Sequence, residues 1–156
     1  MKNQNTNFAK QRRGRRGNAL MEFALIGPVM IAVLFGVIDF SRAFYYAEIA
    51  AGAARSGTQY ALQNTADAAN TTTMVAQATA DATTNTTSAQ NFAATATTFC
   101  QCANSTTTVS CSSSCGSSAM WQYAQVNTSL QFSTLFNYYL LPQTFTIAGS
   151  STVRTQ

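Results

Sequence analysis

The sequence predicts an α+β protein in which a long N-terminal helix precedes a small, disulfide-bonded antiparallel sheet. Three features support this fold class: an apolar segment from Ala19 to Ile38, four cysteines between residues 100 and 115, and alternating apolar and polar residues after them. An unbroken apolar segment of about 20 residues is typical of a membrane-spanning helix, and alternation is typical of strands.

The charged residues are few and unevenly distributed. Only 9% of the 156 residues are charged, whereas roughly a quarter are charged in an average soluble domain. Residues 1–17 form a basic leader without acidic side chains, and acidic residues outnumber arginines in the rest of the chain. The leader contains Lys2, Lys10, Arg12, Arg13, Arg15 and Arg16. The net charge of +4 therefore reflects the leader and does not indicate a nucleic-acid-binding surface.

Residues 19–38 predict a single transmembrane span whose one charged residue is Glu22. Because basic residues precede the span and Asp39 and Glu48 follow it, the positive-inside rule predicts a cytoplasmic N-terminus and an extracytoplasmic C-terminal part. A cleaved secretory signal is the alternative, but its apolar region would run only about 7–15 residues and end at a small-residue cleavage site. The longer segment and its carboxylate favour a retained anchor.

Glu22 predicts a specific polar contact inside the membrane. A carboxylate in a membrane helix costs a few kcal/mol unless it is paired or neutralised. Arg15 and Arg16 lie upstream, and a cut after Gly17 would place a new α-amine at Asn18, one helical turn from Glu22. Spacing alone leaves a second interpretation open, in which Glu22 extends to the cytoplasmic headgroups.

The residues around Glu22 resemble a class III signal sequence, in which a basic leader ends in glycine and glutamate follows at the fifth mature position. Glu22 lies at that position after Gly17, whereas Ala19 lies there after Gly14. A prepilin peptidase cuts such sequences after the glycine, so the resemblance implies a cut between Gly17 and Asn18. The leader arginines that fit this pattern are Arg12, Arg13, Arg15 and Arg16.

The segment from Gly17 to Ala61 resembles the TadE-like family. The landmarks are Glu22-Phe23-Ala24-Leu25, Pro28, Asp39, Arg42 and Ala53-Ala54-Arg55-Ser56-Gly57. The resemblance implies a minor pilin or pseudopilin that helps to assemble a Tad (tight adherence, Flp) type IV pilus by priming, capping or sparse incorporation. Implied partners are the prepilin peptidase, the major pilin and other minor pilins, membrane lipid, and an inner-membrane platform with its secretion ATPase. The implied location is the bacterial inner membrane, with the C-terminal domain in the periplasm.

The composition argues against an enzyme. The chain contains no histidine, which is the commonest general base and metal ligand. The chain has few acidic residues, and none of its hydroxyl groups has an evident general base beside it in the sequence. We therefore predict no catalytic residue, cofactor or metal. The alternative function is an uncleaved single-pass anchor that displays a small disulfide-bonded adhesive or scaffolding domain.

The helical pattern continues beyond the span, and we predict one helix from about Asn18 to Leu62. Small residues recur every three or four positions, at Ala43, Ala47, Ala50, Ala54, Gly57 and Ala61. Such a strip permits close packing against another backbone, although alanine's high helix propensity explains it as well. The pilin resemblance implies that this outer half lies across a small sheet. Pro28 within the span predicts a bend, read either as useful flexibility or as a harmless kink.

Residues 63–156 are predicted to form the extracytoplasmic region. The alanine and threonine residues from Thr65 to Phe99 favour short, loosely joined helices. Cysteines outside the cytoplasm favour disulfides over zinc. Cys100 and Cys102 are poorly placed to bond each other and are expected to pair with Cys111 and Cys115, in an order that the spacing leaves open.

The C-terminal residues predict two or three antiparallel strands, the first starting near Thr107. Trp121, Tyr123 and Gln125 alternate on one phase, and Val126 begins a second phase, which predicts a bulge or bend. A last strand is predicted from Thr144 to Arg154.

Overall fold

The computed structural model describes residues 7–85, 91–138 and 142–155, with the backbone alone described for residues 7–18, Thr65 and Asn85. The chain divides into two compact units, residues up to Phe40 and residues from Ser41 onwards. One long helix, α1 (Asn7–Ala61), contributes to both units. The α+β class, with a long helix packed on an antiparallel sheet and two disulfides, is confirmed.

The elements of the C-terminal unit follow α1 in a simple order. Two short helices come first, and four strands come after them. The elements are α2 (Thr65–Ala69), α3 (Thr71–Asn85), β1 (Ala93–Cys102), β2 (Thr108–Val109), β3 (Met120–Ser133) and β4 (Thr144–Arg154). The strands form one sheet in the order β2-β1-β3-β4, and all neighbouring strands are antiparallel.

Two details of the sheet differ from the sequence prediction. Ala93–Cys102 is a strand and not part of a short helix; its β-branched threonines favour extended backbone, and Ala94 and Ala96 pack against the core. No bulge interrupts β3, because its pairing with β1 and β4 is continuous. The two phases seen in the sequence are the two faces of one strand.

The helices pack on one face of the sheet through small side chains. Every second residue of β3 from Ala124 to Phe132 is buried on this face. The buried residues on the helices include Ala50, Ala53, Ala54, Ala61, Met74, Ala78 and Ala82. Alanines that are fully buried in this way allow the helix backbones to approach the strands closely.

Contacts along the outer half of α1 show its direction on the sheet. The ring centroids of Tyr46 and Phe132 lie 5.7 Å apart, and the hydroxyl of Thr128 donates to the Ala50 carbonyl at 2.7 Å. Further along, a Cβ added to Gly57 would lie 3.2 Å from the Val126 side chain, so the two residues are in close contact. As α1 numbers rise, β3 numbers fall, so the helix runs antiparallel to β3 and in the same direction as β4.

The end of α1 is tied to α2 by polar contacts around Asp67. The Tyr60 hydroxyl donates to Asp67 at 2.9 Å, and the Asn64 side chain accepts from the Asp67 amide as the N-cap of α2. The hydrogen bond to Asp67 is the main cause that raises the pKa of Tyr60 above 10.0, with burial and the Asp67 charge adding to it. Because the neutral phenol is the donor, this bond contributes to folding below pH 10.0 and is lost as the pH rises through the raised pKa.

The four cysteines form two disulfides, Cys100–Cys111 and Cys102–Cys115. Both connect the end of β1 to the segment after β2, so the expected cross-pairing is present and its order is defined. Because all four sulfurs are in disulfides, no thiolate is left for the zinc alternative. A disulfide in a small domain typically contributes ~2–4 kcal/mol to stability.

Candidate processing and assembly site

The N-terminal unit presents an apolar helix surface. From Leu20 to Phe40 the large apolar side chains are exposed, and Phe23 and Leu25 are each 75% exposed. Within the described residues, Ala19–Ala61 is the one helix long and apolar enough to cross a membrane by length and composition. Because so much apolar surface is unfavourable in water, this part of α1 requires lipid or other helices around it.

Glu22 lies on this exposed apolar surface. Its side chain is exposed, and its neighbours Met21 and Phe23 are each 75% exposed. In hydrocarbon the backbone of α1 is satisfied by its own helical hydrogen bonds, whereas the Glu22 carboxylate requires a separate polar or cationic partner.

The proposed cleavage site lies inside α1. Gly17 and Asn18 are helical, as are the backbones of Arg12, Arg13, Arg15 and Arg16, so α1 begins upstream of the expected start near Asn18. The side chains of these residues lie outside what the structure describes. A peptidase acting here has to unwind the helix locally, and glycine lowers the cost of that step because it is a poor helix former.

Pro28 lies within α1 and does not end it. Together with Phe23, Gly27 and Ile31 it lines a shallow apolar depression on the helix surface. A proline removes one helical hydrogen bond, so α1 is locally weaker here than at the residues on either side. A membrane helix tolerates that loss, because other groups can satisfy the freed carbonyl.

Arg42 lies at the start of the part of α1 that belongs to the C-terminal unit, one residue after Ser41. Its guanidinium carbon lies 5.2 Å from the ring centroid of Phe132, and Nη1 donates to the Ser133 carbonyl at 3.5 Å. Phe132 is buried between Tyr46 and Phe145. Arg42 therefore holds the first turns of this part of the helix on the end of β3. Asp39, the other charged landmark, is 5% exposed.

Residues 17–83 match the model of the TadE-like protein family. Over these residues, which make up less than half of the chain, the sequence is similar to TadE-like proteins. No curated protein and no solved structure matched the chain at a significant level. The matched segment starts at the glycine of the proposed cleavage site and includes α1 from that point, α2 and most of α3, so it ends before the sheet.

The match to the TadE-like family over residues 17–83 indicates involvement in Tad pilus assembly together with other pilus components. The family is structural and not enzymatic, which agrees with the composition. The apolar helix of the TadE-like segment indicates a single-pass membrane anchor.

Sequence reasoning located the anchor and Glu22 but missed the contacts that hold α1 to the sheet. These contacts are made by Gly57 on the helix and by Thr128 and Gly149 on the strands. The sequence feature that indicates a contact at Gly57 is the strip of small residues along α1. Gly149 lies among serines and threonines, where a single glycine gives little indication of close packing.

Proposed function

We propose that this protein is a minor pilin or pseudopilin of a Tad-type pilus, matured by a prepilin peptidase that cuts between Gly17 and Asn18. The observation that supports this most strongly is one carboxylate on an exposed apolar helix, five residues after a glycine that ends a basic leader. The TadE-like match, which begins at that glycine, agrees with the same reading.

The first step is insertion of α1 into the inner membrane. The leader, with Arg12, Arg13, Arg15 and Arg16, stays in the cytoplasm because the cationic side chains are retained on that side. The C-terminal unit is then periplasmic, where its two disulfides can form and persist.

The second step is cleavage, which exposes an amine at Asn18. A helix rises about 1.5 Å per residue, so this amine lies roughly 6 Å along the axis from Glu22. The amine and the carboxylate can pair within a chain or between neighbouring chains, which removes the cost of an isolated charge in lipid.

The third step is transfer of α1 from lipid to a bundle of pilin helices. Lipid tails are as apolar as the side chains of α1, so apolar burial alone does not drive this exchange. Helix packing supplies part of the energy, and the Glu22 pair determines which register of neighbouring helices is favourable. The proposed partners are therefore the major pilin and other minor pilins, supported by the inner-membrane platform and its secretion ATPase.

The alternative function is an uncleaved single-pass anchor that displays the disulfide-bonded C-terminal unit as an adhesive or scaffolding domain. It shares the membrane topology and the disulfides with the proposed function. It differs in one respect, because residues 1–17 remain attached and no amine forms beside Glu22.

Substitution of Gly17 tests the proposed function, with Gly14 as a matched control in the same leader. We expect most of the Gly17→Ala chain to retain the leader, because the added methyl group alters the residue at the cut and strengthens the helix there. The Gly14→Ala chain should be cleaved like the wild type, since Ala19 and not glutamate lies five residues after Gly14. Intact mass of chains extracted from membranes measures both. Normal cleavage of Gly17→Ala, or loss of cleavage in both variants, would count against a cut after Gly17.

A further inference from the structure

The outer edge of β4 is open for pairing with another strand. The Thr155 amide donates to Gln122 at 2.8 Å and the Thr134 amide donates to Gln143 at 2.9 Å, which defines the hydrogen-bonded pairs of the β3–β4 ladder. Antiparallel pairing alternates, so odd-numbered residues of β4 bond to β3 and even-numbered residues direct their N–H and C=O groups outwards. These outward residues are Thr144, Thr146, Ala148, Ser150, Thr152 and Arg154.

Apart from Arg154 at its end, β4 carries none of the features that commonly protect an edge strand from strand addition. Natural edge strands commonly carry lysines, prolines or bulges that prevent pairing with another chain. β4 contains no lysine and no proline, its pairing with β3 is continuous, and the side chains of its even-numbered residues are exposed. Among the described residues, no hydrogen bond reaches the outward backbone groups of β4.

The same chain has a second, complementary open edge on β1. The Ala103 amide donates to Ala119 at 2.9 Å, which extends the β1–β3 ladder and leaves the backbone groups of the even-numbered β1 residues directed outwards. β2 pairs with β1 at Cys100 and Gln101 alone. The backbone groups of Ala94, Ala96 and Thr98 have no hydrogen-bond partner in the part of the chain that the structure describes.

The direction of α1 decides which edges can meet. β1 and β4 are both antiparallel to β3, so they run in the same direction as each other and as the outer half of α1. Copies whose C-terminal units have the outer halves of α1 pointing in the same direction must pair their edges as parallel strands. An antiparallel pair of two β4 strands would reverse one α1 relative to the other, so the open edge of β1 is the compatible partner.

The residues of the two open edges also lie at matching positions along the strand direction. Ser150 and Thr95 are both partners of Asn127, and Arg154 and Phe99 are both partners of Tyr123. A copy placed beside the sheet without a shift along the strands therefore puts its Thr95 next to Ser150. In this register each outward residue of β4 lies between two outward residues of β1, which is the pattern of a parallel ladder.

We infer that β4 of one copy adds in parallel to the Ala93–Phe99 part of β1 in a second copy, so that the sheets of successive copies join head to tail. Ser150 then bonds to Ala94 and Ala96 of the second copy, and Thr152 bonds to Ala96 and Thr98. β2 of the second copy does not interfere, because it pairs at Cys100 and Gln101, beyond the level of Arg154. The contact is heterologous and leaves one open edge at each end, so it can continue sideways from copy to copy. The inference rests on the proposed function because it requires copies with the same orientation.

A register-specific cross-link tests the contact in membranes that contain the full-length chain. Ser150→Cys combined with Thr95→Cys should give a ladder of disulfide-linked oligomers under mild oxidation. Within one chain these positions lie on either side of Asn127, about 9–10 Å apart by strand spacing, which is too far for a disulfide. The control is Thr146→Cys with Thr95→Cys, displaced by roughly 13 Å along the strand, which should give no ladder.

Proline substitutions provide a second, independent test of the same edge. Thr152→Pro removes an outward N–H that β3 does not use, so the monomer should keep its sheet while the Ser150–Thr95 cross-link is lost. Thr144→Pro also removes an outward N–H, but Thr144 lies beyond the Ala93 end of the β1 strand of the second copy. This substitution should therefore leave the cross-link intact. Trp121 fluorescence monitors whether either variant still folds, since Trp121 is the single tryptophan and lies on β3.

The outcomes separate this inference from the proposed function. Leader cleavage at Gly17 without any Ser150–Thr95 ladder would overturn the edge contact and leave the pilin role intact. A product that stops at two copies and is trapped by Thr146→Cys with Thr152→Cys would show an antiparallel β4–β4 contact and would also overturn it. A ladder formed by chains that retain the leader would support the contact and contradict the processing step.

Discussion

Replacing Gly149 with alanine is expected to lower the free energy of unfolding of the C-terminal unit by about 1–3 kcal/mol, the usual cost of overpacking. A Cβ at this position would lie 2.5 Å from the Ala50 carbonyl oxygen and 2.6 Å from its carbon. Both atoms belong to the backbone of α1, so no side-chain rotation can relieve the contact and the helix has to move away from β4. The same movement would break the hydrogen bond from Thr128 to Ala50.

Gly52→Ala is the matched control for this prediction. Gly52 lies in α1, and a Cβ added there would have an Asp81 carboxylate oxygen as its nearest neighbour, at an ordinary distance of 3.7 Å. Alanine at this helical position should be neutral or stabilising by up to ~1 kcal/mol because of its higher helix propensity. Denaturant unfolding of the full-length chain in detergent, followed by Trp121 fluorescence, measures both variants. Equal stability of Gly149→Ala and the wild type would show that α1 does not pack on β4 as described.

Glu22→Ala is expected to abolish or strongly reduce incorporation into fibres while the protein stays in the membrane. Removing the carboxylate removes its pair with a neighbouring amine, and polar pairs between membrane helices contribute roughly 0.6–2 kcal/mol each. A loss of 1–2 kcal/mol corresponds to a factor of about 5–30 in an equilibrium constant. Because the pair forms whenever a copy of this chain enters the helix bundle, its loss should act on every such incorporation event.

Glu48→Ala is the control for Glu22→Ala, since Glu48 is also exposed on α1 but belongs to the C-terminal unit. It should leave fibre incorporation unchanged. Glu22→Gln should fall between the wild type and Glu22→Ala, because the amide can still accept a hydrogen bond but carries no charge. Immunoblots of sheared surface fibres and of membranes give the distribution of each variant. Equal incorporation of Glu22→Ala and the wild type would refute the pairing role of Glu22.

The sequence predicts the features of this protein that depend on local pattern. The span from Ala19 to Ile38, the helix that continues past it and the last strand from Thr144 each depend on hydropathy or alternation along one segment. The small-residue strip predicts a packing surface on α1 without showing what it packs against. A resemblance that begins at Gly17 indicates the same family as the match over residues 17–83, which no composition argument could have done.

The features that the sequence does not predict depend on contacts between distant segments. The residues of Ala93–Cys102 favour helix and strand about equally by composition, and the strand forms because β3 supplies hydrogen-bond partners and the core accepts Ala94 and Ala96. The pairing of Cys100 with Cys111 follows from the way β1 and β2 lie side by side, which the spacing of the cysteines leaves open. The close contact at Gly149 requires knowledge that α1 crosses β4 at that residue.

The N-terminus of the wild-type chain in membranes is the most direct test of the central claim. Intact mass and N-terminal sequencing of the purified protein should show a chain that starts at Asn18. A mature chain that still carries residues 1–17 would leave Glu22 without the amine that the account requires. Such a chain would contradict the pilin assignment and favour the uncleaved anchor.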